Sequence, residues 1–136
     1  MILTLITAAI AFSVLGYLAE TNLNLAFPHY PMLELFLVSL PLYLTLKDLN
    51  DSLATVPYAL LYSYLKQLIY YALMGKADIY YPIFFSLALS IYGTSIAYHK
   101  YVCISEKRMG IISTIAILIA FLFASLILLT YQFAFP

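Results

Sequence analysis

Asp78 is the residue best placed to do chemistry. It lies in Leu73-Met74-Gly75-Lys76-Ala77-Asp78-Ile79, where a polar turn breaks an apolar run and at once re-enters it. Two carboxyl groups held together share a proton, so that one serves as base on water while the other serves as acid. Asp78 therefore needs a partner carboxylate from its own membrane face. Glu34 and Lys66 form a second candidate set, an intramembrane ion pair. An ammonium near the membrane centre costs about 2.5 to 3.5 kcal/mol on insertion scales, so Lys66 is expected either to meet Glu34 or to snorkel alone to the interface.

Other chemistries find no support in the residues. The chain has no Gly-x-Ser-x-Gly elbow and no His-Glu-x-x-His, and His29 and His99 are expected in loops on opposite sides. The single cysteine, Cys103, forms no internal disulfide and lacks a His/Cys set at ligand spacing, so it reads as a loop thiol and no metal or cofactor is expected.

Composition says what must position these groups. Hydrophobic residues make up 65% of the 136 and charged residues 9%, far from the roughly one-quarter charged share of soluble domains. Spans of about 20 apolar residues cross a bilayer of about 30 Å. One domain, residues 1–136, is thus expected as an all-α polytopic membrane bundle of about five transmembrane helices with short loops. Net charge is zero and the six basic residues are scattered, which excludes nucleic acid as a partner.

Residues 1 to 19 carry no charge and no basic start or cleavage site, so they read as a retained first helix ending near Glu20. A turn-rich loop follows to Pro31, with Pro28 and His29 in it. The second helix is expected from about Met32 to Leu46, with Glu34 in its first turn and Pro41 as a kink. The third, about residues 53 to 74, is capped by Asp51 or Thr55 and carries Tyr58, Tyr62, Lys66 and Tyr70 on one interior face. Asp78 then opens a fourth helix to about His99, with Ser86, Ser90 and Thr94 on one face. The fifth, about 111 to 131, carries Ala116, Ala120 and Ala124, and these small-residue faces are where helices approach closely.

Lys47, Lys100, Lys107 and Arg108 outnumber Lys76, so the positive-inside rule puts their side and the N-terminus in the cytoplasm. Tyr17, Tyr30, Tyr80 and Tyr81 fit interfacial belts.

Gly75-Lys76-Ala77-Asp78, followed by Ile79-Tyr80-Tyr81-Pro82, resembles the glycine-x-small/hydrophobic-aspartate motif of archaeal prepilin and preflagellin peptidases, which are intramembrane aspartyl proteases. The resemblance covers about residues 1 to 98 and implies a first acid after the first helix, two helices before the motif. That position holds Glu20, with Pro28 following, and the implied catalytic pair is Glu20 and Asp78. Glu stands where the family has Asp, and a displacement of about 1 Å already costs about a hundredfold in rate. Charge counting puts the pair outside, whereas the family works at the cytoplasmic face. Asp51 with Pro57 is no substitute, because one intervening helix sets it opposite Asp78. Pro31-Met32-Leu33-Glu34 is also similar to part of a motif of small membrane lycopene cyclases, with one of its two glutamates.

Two readings of Asp78 stay open, catalysis and helix capping, for which Asp is a favoured residue. The expected function is accordingly a small integral membrane protein, a non-catalytic subunit or assembly factor that meets other membrane subunits and the lipid bilayer through its small-residue faces. The alternatives are a prepilin-peptidase-like endopeptidase and a transport unit using Glu34, Lys66 and the tyrosine face. The plasma membrane is the expected location.

Overall fold

The computed structural model describes residues 2–23, 31–47, 49–75, 78–104, 106–108 and 110–134. The expected loop with Pro28, His29 and Tyr30, and Lys76 and Ala77 of the glycine motif, lie outside the described residues. The chain is all-helical: α1 (Ile2–Leu23), α2 (Pro31–Thr45), α3 (Thr55–Met74), α4 (Tyr81–Ile104) and α5 (Ile111–Ala134), with a 3-10 helix at Leu49–Ala54 before α3. No strand occurs among the described residues.

Among the described residues two helices, α1 and α5, are long and apolar enough to cross a membrane. A core helix of a soluble protein passes the same test but is mostly buried, whereas only 17% of the α1 span and 28% of the α5 span are buried here. Both therefore present largely outward apolar faces, and the α1 span lies near the N-terminus, where a signal sequence has the same length and composition. The apolar stretch of α2, Met32–Thr45, is shorter. Lys66 interrupts α3, and tyrosine, serine and histidine dilute α4.

At the centre, α4 packs against α3 and α5, and α1 packs against α3 and α2. Their buried faces meet in a core that includes Leu35, Val38, Tyr62, Phe85, Leu89 and Leu128. Ala120 and Ala124 of α5 are buried within the bundle. The small-residue stripe expected to meet a partner therefore lies in the interior of this chain. Gly93 marks another close approach, since a Cβ there would stand 2.5 Å from Thr55 Cγ2.

Several helix ends differ from expectation, each for a local reason. Helix α1 runs through Glu20 to Leu23, because no glycine or proline stops it there and Thr21 Oγ1 donates back to Tyr17 O at 2.9 Å. Neither Asp51 nor Thr55 caps α3. The 3-10 helix feeds straight into it through Ala54 in helical conformation, Asp51 Oδ2 accepts from Lys47 N–H at 2.8 Å, and Thr55 Oγ1 donates to Ser52 O at 2.7 Å. Helix α3 ends at Gly75, whose φ of 72° is the left-handed conformation glycine adopts freely, with its N–H donating to Tyr71 O. Helix α4 begins at Tyr81, three residues after Asp78, and continues past His99 to Ile104. His99 and Cys103, expected in a loop, are thus helical and one turn apart.

Candidate functional site

Short connections reverse the chain between helices, so the end of α1, the start of α2, the end of α3, the start of α4 and the end of α5 share one pole of the bundle. This pole gathers Glu20, Glu34, Lys66, Asp78 and Tyr131. Lys66, 1% exposed, extends its ammonium between two carboxylates, with Nζ 2.5 Å from Glu20 Oε1 and 3.1 Å from Glu34 Oε1. Three phenols complete the set. Tyr62 donates to Glu34 Oε1 and Tyr81 to Glu34 Oε2, both at 3.0 Å, while Tyr70 donates to Glu20 Oε2 at 2.5 Å.

Each of the four carboxylate oxygens therefore accepts a hydrogen bond from a phenol or the ammonium. Taking charges out of water costs several kcal/mol per ion, an expense offset only where geometry and hydrogen bonding are both good. The Glu34–Lys66 pair forms, and Glu20 joins it as a third member. The face of α3 carrying Tyr58, Tyr62 and Lys66 is interior, with Tyr58 donating to Val38 O at 2.7 Å. Gly16 of α1 leaves room for this arrangement, since a Cβ there would stand 3.1 Å from the Tyr62 hydroxyl. The Tyr17 ring meets Tyr70 edge-on, at 4.9 Å between centroids.

Asp78 is committed elsewhere. Its Oδ1 accepts from the backbone N–H of Tyr80 and Tyr81, at 3.1 and 3.2 Å, which is the capping arrangement at the mouth of α4. Tyr131 of α5 donates to both Asp78 carboxylate oxygens, at 2.6 and 2.8 Å, and the Asp78 backbone N–H donates to Gln67 Oε1 at 3.0 Å. The structure brings Glu20 and Glu34 together through Lys66 and gives Asp78 a different set of partners. Each oxygen of Glu20 and of Asp78 accepts at least one hydrogen bond from a protein donor.

Two members of this pole escaped the sequence. Tyr81 reads as an interfacial belt residue but is 0% exposed, because Glu34 draws its hydroxyl inward. Tyr131 closes the pole from α5, 53 positions from Asp78, and no local spacing announces such a contact.

The opposite pole holds a second constellation. His99 Nδ1 lies 3.0 Å from Ser113 Oγ, and Cys103 Sγ lies 3.5 Å from His99 Nε2. The signal was present as His99 and Cys103 four residues apart, the spacing that places two side chains on one helix face; the expected loop hid it. No group of three or more His, Cys, Asp or Glu side chains among the described residues is arranged to hold a metal.

Comparisons with protein-family models, with curated proteins and with solved structures return no match to this chain.

Proposed function

We propose that the chain is a small integral membrane protein of about five spans, acting as a non-catalytic subunit or assembly factor of a larger membrane complex. The observation that carries this reading is the commitment of its carboxylates. Glu20 and Glu34 hold Lys66 and three phenols, and Asp78 caps α4 and anchors Tyr131. These polar groups join helices to one another, and every one of these carboxylate oxygens has a donor from the protein itself. Every helix also turns large apolar side chains outward, among them Leu15 of α1, Phe36 of α2, Leu68 of α3, Leu87 of α4 and Phe123 of α5, so the partners are lipid and other membrane helices. The plasma membrane is the proposed location, with the N-terminus and the Lys47, Lys100, Lys107 and Arg108 pole in the cytoplasm.

Cleavage of a prepilin-type signal peptide by wild type, Glu20→Gln and Asp78→Asn tests this directly. The expected result is no cleavage by any of the three. Cleavage by wild type that both substitutions abolish establishes the aspartyl protease instead. Migration in mild detergent, from native membranes, is expected to show the chain in an assembly larger than itself; a lone monomer removes the subunit assignment. Orientation is read from a Lys107→Cys label in a Cys103→Ser background, which an impermeant maleimide reaches only after the membrane is opened.

A further inference from the structure

The pole carrying His99, Cys103 and Ser113 has a proton arrangement that follows from its hydrogen bonds. Ser113 is 1% exposed, and its hydroxyl donates to Gly110 O at 2.8 Å. That hydroxyl has one proton, so with it given to Gly110 O the tautomer that fits the 3.0 Å contact carries its hydrogen on His99 Nδ1. Neutral imidazole then has a bare Nε2, and this is the nitrogen facing the Cys103 thiol at 3.5 Å. Nucleophile, base and orienting group stand in the order that nucleophilic catalysis uses.

The surroundings select the electrophile. Cys103 sits in the last turn of α4, half-buried, and the neighbouring Ile104, Ile111 and Ile112 are exposed apolar side chains at the helix ends. The turn between α4 and α5 adds exposed Lys107 and Arg108, the latter paired with Glu106 at 2.6 Å. Lys100 lies over the Tyr43 ring of α2 at 4.4 Å, and α5 brings no charged side chain. A thiol between an apolar fringe and a cationic turn suits an amphiphile with a long apolar chain and an anionic, phosphorylated head.

We propose that Cys103 is an acyl acceptor, taking a long-chain acyl group from a coenzyme A thioester. His99 Nε2 removes the thiol proton, and the Cys103 sulfur attacks the thioester carbonyl carbon. The carbon–sulfur bond to coenzyme A breaks as the new one to Cys103 forms, and the departing thiolate recovers the proton from His99. No electrons are exchanged with any other group. The product is a thioester whose acyl chain lies in the bilayer beside α4 and α5, a modification and not a turnover reaction.

The test uses the full-length protein in lipid nanodiscs with palmitoyl coenzyme A, read by intact mass. Wild type is expected to gain one palmitoyl group that hydroxylamine removes, and Cys103→Ser none. His99→Asn keeps an amide N–H near the Nδ1 position facing Ser113 and deletes the base. Its acylation at neutral pH is expected to fall about 100-fold, with the gap closing in more alkaline solution, where thiolate forms without the base. Ser113→Ala, which removes a positioning residue, is expected to fall between the two while retaining the wild-type pH profile; a wild-type rate removes Ser113 from the account. Thermal unfolding of each variant in the same nanodiscs separates lost chemistry from lost fold. A wild type that gains no acyl group, or a folded His99→Asn protein that acylates at the wild-type rate and pH profile, overturns the proposal.

Discussion

At the pole where α3 ends, Glu34 and Lys66 are buried and Glu20 is half-buried, and every oxygen of the two glutamates receives a donor. At the opposite pole His99 and Cys103 are half-buried, with the thiol 3.5 Å from His99 Nε2. Both poles join two or more helices through polar side chains, yet they differ in what is left over. A closed set of charges spends its hydrogen-bonding capacity on holding helices in register, whereas an open pair leaves a nucleophile facing outward. Buried charge inside a membrane segment is a functional signal by default; under the proposed function its satisfaction here is architectural, and under the proposed acylation the reactivity lies at the histidine–cysteine pair.

Substitutions should separate the two poles by stability. Lys66→Met strands two buried carboxylates, so a loss of about 3 to 5 kcal/mol is expected, measurable by denaturant unfolding in micelles. Adding Glu20→Gln and Glu34→Gln to Lys66→Met is expected to restore much of it, because a neutral set needs no ammonium. Tyr131→Phe removes a hydroxyl shared with a charged acceptor and should cost about 1.5 to 3 kcal/mol, with faster amide exchange concentrated at the end of α5. Gly93→Ala forces a methyl against buried Thr55, and an overpacking loss of about 1 to 3 kcal/mol is expected, visible in the unfolding midpoint. His99→Asn should change stability least, by under about 1 kcal/mol; a loss as large as that of Lys66→Met would make the second pole structural and erase the contrast.

How far the sequence could be read differs between the poles as well. Composition alone leads to apolar helices, two of which among the described residues are long and apolar enough to cross a membrane, and the four-residue spacing of Tyr58, Tyr62, Lys66 and Tyr70 marks the interior face of α3. The Glu34–Lys66 contact follows from helix direction plus the cost of an unpaired ammonium. The short motif around Asp78 pairs it with Glu20 and carries no information on Glu34, the third acid, which shares Lys66 with Glu20. Once α1 continues to Leu23, Glu20 faces Lys66 across the bundle and the ammonium claims it. Asp78 was legible as a cap, since its neighbours in sequence supply the N–H groups. Tyr131 was not, because its contact spans the length of α4 and α5. At the far pole the histidine–cysteine spacing was visible, but assigning α4 to end at His99 removed the helix that gives the spacing meaning.

The central claim is that Glu20 is held by Lys66 as a structural partner. A double-mutant cycle of Glu20→Gln with Lys66→Met, read by unfolding in one detergent, measures that link without reference to any activity. The account predicts a coupling of about 2 kcal/mol or more between the two positions, as for residues within one buried network. Effects that add to within about 0.5 kcal/mol would contradict it, for they would mean that Glu20 and Lys66 do not depend on each other.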